Sequence, residues 1–270
     1  MVYSYSRLRC FRRCPLSYRF QYIDKVEVPE FETIESFMGS RVHETLDLFY
    51  GEISKGKAPG LEDLLTSYAV LWDKYMSPAV VVNKPCASVE DFRLAGAKCL
   101  EDYYLAYEPF DKTRVIATEF KVKIDLLGDG RYDFIGYIDR LDADSDGAYE
   151  IHDYKTSRAL PSRKGKDGGE QLALYELGVR QNIGDVREVE HVWHYLRHNR
   201  EIRSKKTHDD LETLKESLIS AVDQIEKAAA EDDFPAMRTN LCGWCAYQEI
   251  CSQERHAKRP RQTTLSGYIR

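Results

Sequence analysis

The chain has 270 residues and a net charge of −6, with 43% hydrophobic residues and a mean hydropathy of −0.53. These values describe one large globular domain or a core carrying an insert. They argue against a protein that coats nucleic acid by bulk charge, though not against a local basic groove. No apolar run approaches the roughly 18–20 residues of a membrane span, and the opening MVYSYSRLRCFRRC lacks the apolar stretch of a signal peptide. An intracellular chain, cytoplasmic or in the nucleoid or nucleus, without membrane partners is expected. Its seven cysteines then read as thiols or metal ligands rather than as disulfides.

Residues 3–26 predict a short helix broken at Pro15, then a second helical or extended segment. Arg7, Arg9, Arg12, Arg13 and Arg19 alternate there with Phe11, Tyr18, Phe20 and Tyr22. This is either the wet face of an amphipathic helix or a phosphate-contacting surface with rings for stacking. Residues 34–50 predict a helix with Val42, Leu46 and Phe49 on its apolar stripe. His43 and Glu44 lie beside that stripe, where a lone histidine is more often structural than a ligand. The segment GEISKGKA at 51–58 nearly matches the phosphate loop GxxxxGK[ST], but Ala58 stands where a hydroxyl belongs. It also follows a helix instead of opening one after a strand, so it reads as a turn. Residues 61–110 carry two more helical patterns around a Pro/Val linker, with Cys86 and Cys99 outside any ligand spacing.

Residues 114–127 alternate, with Ile116, Phe120, Val122, Ile124 and Leu126 on one face and Glu119, Lys121, Lys123 and Asp125 on the other. The turn Gly128-Asp129-Gly130 leads into 132–157, two strands around Asp144-Ser145-Asp146-Gly147, which completes an antiparallel meander. Asp153 and Lys155 share a strand face, and a turn centred on Asp146 sets Asp139 opposite Asp153. Directly opposed residues have Cβ atoms about 4.5–5.5 Å apart, and like charges so placed repel. A cation between them reconciles the pair, so the expected site is a divalent metal with Lys155 beside it. Glu119 joins it if its strand face lies on the carboxylate side.

A basic, glycine-rich loop follows at 158–169, including Arg158, Arg163 and Lys164. After it come a helix at 170–182, a strand at 187–197 and a helix at 208–231. The strand–helix–strand unit implies a mixed sheet flanked by helices. His191, His194 and His198 do not share one strand face, which argues against a metal trio. Near the C-terminus Cys242, Cys245 and Cys251 have metal-ligand spacing, but zinc and iron–sulfur sites take four ligands. Cys14 is the best fourth candidate and Cys10 the runner-up. Spacing leaves an iron–sulfur cluster, a structural zinc and no metal all open.

In chain order, SYSRLRCFRRCPLSYRFQY, GSRVHETL, GYIDRLD, HDYKTS, QLALYELG and the cysteine triplet resemble the RecB-like branch of the PD-(D/E)XK nucleases. The nearest resemblance is to its iron–sulfur members, the AddB-type nucleases and the CRISPR spacer-acquisition nucleases. The resemblance implies an α/β, restriction-endonuclease-like fold: a mixed β-sheet core flanked by helices, a helical insert, and a cysteine-ligated cluster joining the N- and C-terminal segments. The expected division is an N-terminal segment at 1–30 with a cluster cysteine and a helical region at 31–112 carrying His43. A nuclease core at 113–235, a cysteine triplet at 236–256 and a flexible tail at 257–270 follow.

The resemblance further implies that His43, Asp139, Asp153 and the Tyr154 carbonyl hold Mn2+ or Mg2+, with Lys155 as the catalytic lysine. Asp153 replaces the commoner Glu, as RecB-like members do. Gln171 and Tyr175, one helical turn apart, would touch the substrate backbone or the lysine, and Glu119 would add an acidic group. Cys14, Cys242, Cys245 and Cys251 would ligate a 4Fe-4S cluster, with structural Zn as the alternative. Arg12, Arg13, Arg19, Arg158, Arg163 and Lys164 would form the DNA track. The implied activity is that of a metal-dependent exonuclease on single-stranded ends or flaps in DNA repair, recombination or replication. The alternatives are a CRISPR adaptation nuclease trimming spacer precursors and a non-catalytic DNA-binding scaffold of a recombination complex. A partner helicase would supply any unwinding. In the tail, Gln262, Leu265, Tyr268 and Ile269 resemble the peptide that binds the sliding clamp (PCNA), with Ile269 in place of the second aromatic.

Overall fold

The structure is a computed structural model and describes residues 1–28, 32–82, 86–160 and 167–251. In chain order the elements are β1 (Val2–Tyr3), α1 (Tyr5–Arg13), α2 (Pro15–Tyr18), β2 (Glu32–Thr33), α3 (Ile34–Ile53), α4 (Leu61–Tyr75), β3 (Val80–Val81) and α5 (Val89–Tyr107). There follow β4 (Arg114–Asp125), β5 (Asp133–Ala143), β6 (Ala148–Lys155), α6 (Asp167–Asn182), β7 (Glu188–Tyr195), β8 (Arg200–Lys205) and α7 (His208–Glu231). The chain divides into two compact units, one of Met1–Tyr5 with Glu30–Val222, the other of Ser6–Pro29 with Asp223–Arg270.

The first unit is a mixed sheet flanked by helices. Strands run in the order β1-β5-β6-β7-β8, and β4 also pairs with β5. The β4–β5, β5–β6 and β7–β8 pairs are antiparallel, whereas β1–β5 and β6–β7 are parallel. The β6–β7 crossover passes through α6. Helix α3 starts at Thr33, whose hydroxyl accepts the Ser36 N–H at 3.2 Å. Ser88 and Asp91 form a reciprocal capping box on α5 at 2.7 and 3.1 Å. Helices α3, α4 and α5 bury Phe37, Leu46, Trp72, Phe92 and Leu100 together with Tyr154 of β6. Helix α6 packs on β4 through Gly178, where a Cβ would stand 2.7 Å from Ile124 and 2.9 Å from Val122. The sequence pattern assigns no element between the strand at 187–197 and the helix at 208–231. Instead a short turn through Asn199, at φ 42°, reverses the chain into β8. Its sequence REIRSK carries the charges of an edge strand and no apolar stripe to reveal it.

The pairing of β5 sets up everything that follows. It meets β6 only over 140–143 and β1 only at 133–134, so residues 135–139 have no strand on that edge among the described residues. Strand β6 meanwhile stays on β7 through Lys155. The two strands therefore part and leave a notch, with Asp139 on one side and Asp153 to Lys155 on the other.

Behind the notch lies a buried ionic network. Arg140 donates to the hydroxyls of Tyr103 and Tyr154, each at 2.8 Å, and its Nε is 3.0 Å from Asp142. Its guanidinium stands 4.0 Å over the Tyr50 ring. His152 lies 3.3 Å from Asp142 and 3.2 Å from Glu150, and stacks on His194 at 5.2 Å. Thr113 donates to Asp142 at 2.6 Å.

The second unit packs Phe11, Tyr18 and Phe234 together, with Tyr18 and Phe234 stacked at 6.4 Å. Cys14, Cys242, Cys245 and Cys251 line one cavity of about 380 Å³ in it. Cys14 Sγ accepts the Met237 N–H at 3.4 Å, and Cys242 Sγ accepts the Thr239 N–H at 3.3 Å. The expectation of a cysteine-ligated cluster is corrected here. Among the described residues no three of these sulfurs come within 4.8 Å of one another, and all are free cysteines. The 4Fe-4S cluster falls with it, and so does the structural Zn alternative.

Arg140, largest among the opposing charges, and the His152 and Thr113 hydrogen bonds outweigh burial and bring the Asp142 carboxyl down to about 2. A carboxyl depressed in the folded state stabilises the fold above its unfolded value near 3.9, and that contribution, about 2 kcal/mol, is lost as pH falls toward 2. Asp142→Asn is expected to lower the urea midpoint at pH 7 and to flatten its decline between about pH 4 and pH 2. An unchanged acid limb in the variant would rule out this role.

Candidate active site

Where β5 leaves β6, the backbone of Tyr154 loses its strand partner and side chains take over. Asp139 Oδ2 accepts the Tyr154 N–H at 2.8 Å. The Tyr154 carbonyl lies 2.7 Å from His43 Nε2, on α3, and His43 Nδ1 is 3.3 Å from Asp139 Oδ2. Lys155 Nζ lies 2.7 and 2.6 Å from the two oxygens of Asp153. The structure thus brings His43, Asp139, Asp153, Tyr154 and Lys155 together in the notch. Gln171 and Tyr175 lie on α6, with the Gln171 side-chain amide donating to the Tyr175 hydroxyl at 3.1 Å. Tyr175 fits because position 136 is glycine: a Cβ there would stand 2.2 Å from the ring.

Glu119 sits across from the notch in β4, where the ladder passes from Thr118–Arg140 to Phe120–Ile138 and skips Glu119 and Asp139. Its φ of 44° is left-handed, a conformation that costs a non-glycine residue about 1–3 kcal/mol and persists when its surroundings hold it. Desolvation, then the charges of Asp139 and Asp47, raise its carboxyl. Asp47, whose charge reaches Glu119, is not among the residues singled out from the sequence. It stands one helical turn after His43, so the i,i+4 spacing on α3 was the available signal.

The two central carboxylates are unequal. Burial raises both, but at Asp139 the His43 ring and the Tyr154 N–H outweigh it and hold the group below the usual carboxylate range. At Asp153 burial, reinforced by the Asp139 charge, outweighs Lys155 and pushes the group up. For His43, burial lowers its pKa, yet the Asp139 carboxylate and the other acceptors around the ring raise it on balance.

A family model described as the PD-(D/E)XK nuclease superfamily matches residues 2–252. The chain belongs to the PD-(D/E)XK nuclease superfamily. A crystal structure from Eubacterium rectale, named "Putative exonuclease", superposes with a TM-score of 0.55 at 15% identity, covering 95% of this chain and 88% of that one. At that identity the likeness concerns the fold. A second structure, SSO0001, gives a TM-score of 0.37 at 13% identity, covering 92% of this chain and 93% of that one. No curated protein matches the chain.

Membership is in the superfamily at large, so the narrower resemblance to its iron–sulfur members is corrected together with the cluster. The clamp-peptide reading of Gln262, Leu265, Tyr268 and Ile269 is corrected too: those residues follow the end of the family match at 252 and lie outside the described residues. No described helix is long and apolar enough to cross a membrane.

The expected DNA track divides. Arg12, Arg13 and Arg19 belong to the second unit. Arg19 is held by Asp24 at 3.0 Å and Asp232 at 3.1 Å, and Arg12 and Arg13 are exposed. Arg158 follows β6 in the first unit and reaches toward the Phe92 ring at 5.9 Å. Arg163 and Lys164 lie outside the described residues.

Among the described residues, the only acidic or histidine set within 4.8 Å of one another is Asp142, Glu150 and His152. Cations already serve it: Arg140 pairs with Asp142, and Arg203 lies 2.7 Å from Glu150. It is a structural ion network and not a vacant ligand set. In the notch the donors are wider apart, but their chemistry fits a divalent ion. They comprise two carboxylates, one imidazole and a backbone carbonyl. Asp153 Oδ2 is buried and makes no hydrogen bond, although the Lys155 ammonium is beside it.

Gly136→Ala is expected to displace the Tyr175 ring and to cost about 1–3 kcal/mol by overpacking. In the double variant with Tyr175→Ala the two effects should be strongly non-additive in chemical denaturation. Additive losses would show that the glycine does not serve the tyrosine.

Proposed function

We propose that the notch is the active site of a metal-dependent DNA nuclease, acting as an exonuclease on single-stranded ends. The observation that carries this reading is the apposition of Asp139 and Asp153 beside Lys155 where β5 and β6 part, in a chain of the PD-(D/E)XK superfamily. The exonuclease assignment draws on the name of the similar Eubacterium rectale structure.

Asp139, Asp153, His43 and the Tyr154 carbonyl would hold Mn2+ or Mg2+, the imidazole favouring manganese over an all-oxygen site. Such an ion, when bound, lowers the pKa of a coordinated water and polarises a phosphoryl oxygen. The chain's own groups do the rest. His43 bridges Asp139 and the Tyr154 carbonyl through its two ring nitrogens, and one of those contacts would be exchanged for the ion. The Lys155 side chain, 34% exposed, reaches the rim, where its ammonium orients the attacking water and offsets the charge that builds on the phosphate. The Tyr175 hydroxyl, tied to Gln171, donates to a phosphate oxygen and so helps to set the scissile bond against Lys155.

The test is digestion of 5′- and 3′-labelled single strands with manganese, alongside a circular single strand. The wild-type chain should degrade the linear strands from an end and spare the circle. Asp153→Ala or Lys155→Ala should lower the rate at least about a hundredfold with an unchanged circular-dichroism spectrum. Cleavage of the circle would overturn the exonuclease reading, and full activity in either variant would overturn the site.

A further inference from the structure

One face of the β4–β5 pair, which α3 approaches at the end near Asp139, is exposed at Lys121, Lys123 and Tyr137. Alternation along the strands buries Val122, Ile124, Phe134 and Ile138, each at 1% exposure or less. Lys121, Lys123 and Tyr137 point the other way and are exposed, Tyr137 by 50%. Lys121 lies directly across from Tyr137, and Lys123 across from Ile135. On β8 the cations are paired: Arg203 with Glu150, Glu190 and Glu201, and Lys205 with Glu188. The ammonium groups of Lys121 and Lys123 have no ion pair or hydrogen bond among the described residues. Lysines on such a strand do discourage edge-to-edge pairing, but that role gives no reason for a half-exposed tyrosine directly across from one of them.

The strip adjoins the notch. Lys121 follows Glu119 by two residues, and Tyr137 precedes Asp139 by two. Two residues along a strand advance about 6.8 Å, a step suited to successive phosphates of a stretched single strand. On the far side the strip ends at Asp125 and Asp133, which face each other and repel phosphate. Asp125 is also turned into its own loop, where the N–H groups of Leu127, Gly128 and Gly130 bind its carboxylate at 3.2, 2.9 and 2.9 Å.

We propose that Tyr137, Lys121 and Lys123 form the surface on which the last unpaired nucleotides of a single-stranded DNA lie as they approach the notch. Tyr137 stacks on one base, while the two lysines contact consecutive phosphates. Every base has a π-face, so the strip is indifferent to sequence. It selects unpaired strands because a base within a duplex is already stacked. This proposal rests on the nuclease reading of the notch.

The test uses the full chain carrying Lys155→Ala, to prevent cleavage, and a fluorescein-labelled oligo-dT followed by anisotropy. Adding Tyr137→Ala should weaken binding about tenfold, whereas Tyr137→Phe should retain it. Lys121→Gln should lower the slope of log affinity against log salt by about 0.7. A blunt duplex should bind the Tyr137→Ala chain as it binds its parent. Unchanged single-strand affinity in both Tyr137→Ala and Lys121→Gln, in a chain whose wild type still digests linear strands, overturns the strip and leaves the nuclease reading standing. Tyr137-dependent binding by a wild-type chain that digests nothing keeps the strip and overturns the nuclease reading.

Discussion

The parting of β5 from β6 beyond the Arg140–His152 pair is the constraint on which the candidate site depends. A strand that ends its ladder inside a protein exposes backbone groups that must find partners, because a buried N–H or C=O left unpaired costs about 1–3 kcal/mol. Here the partners are side chains, Asp139 for the Tyr154 N–H and His43 for its carbonyl. Both residues therefore complete the sheet as well as bearing charge. That double duty accounts for the inequality of the carboxylates. Asp139 receives an N–H and an imidazole that hold its carboxyl down, while Asp153 is more buried, and Lys155 with the His43 charge does not offset that burial. Carboxyl groups pushed apart in this way suit different tasks in one site.

Tyr154 is held from the rear as firmly as from the front. Its hydroxyl takes a hydrogen bond from Arg140, whose guanidinium is also committed to Tyr103, Asp142 and the face of Tyr50. Charges buried this deeply gain little net stability over a well-packed apolar core, but removing one partner is expensive. A residue pinned at its N–H, its carbonyl and its hydroxyl has little freedom to drift. Asp153 and Lys155, its neighbours in the chain, inherit that fixity. A site assembled from strand ends needs such support, since fraying is otherwise the habit of strand ends.

Much of this was legible in the sequence because strand physics is local. The two-residue repeat put Asp153 with Lys155, and the Asp-Ser-Asp-Gly turn fixed a register in which Asp139 comes opposite Asp153. The observed pairing follows that register up to Arg140–His152 and stops one step short of the two aspartates. The stop itself was not legible, since nothing in the sequence announces where two strands separate. Neither was β8, which has charge without alternation, nor the network around Arg140, whose partners come from α3, α5, β5 and β6. The cysteines show the limit of spacing as an argument. Cys242, Cys245 and Cys251 are close along the chain and share a cavity with Cys14, yet nearness in sequence does not fix the distances between sulfurs.

An acidic chain that handles a polyanion faces a mismatch, since its net charge of −6 repels the substrate at long range. The Debye length at physiological salt is about 8 Å, so beyond that distance the mismatch is muted and local arrangement decides. Much of the cationic charge in the first unit is spent internally, on Asp142, Glu150, Glu188 and Glu190. Lys121 and Lys123 are not, and they stand next to the place where the notch gathers negative charge. With the carboxylates neutralised by a bound cation, that end of the β4–β5 face changes from repelling phosphate to accepting it. Binding of the substrate and loading of the notch would then be coupled through charge alone, without any movement of the fold.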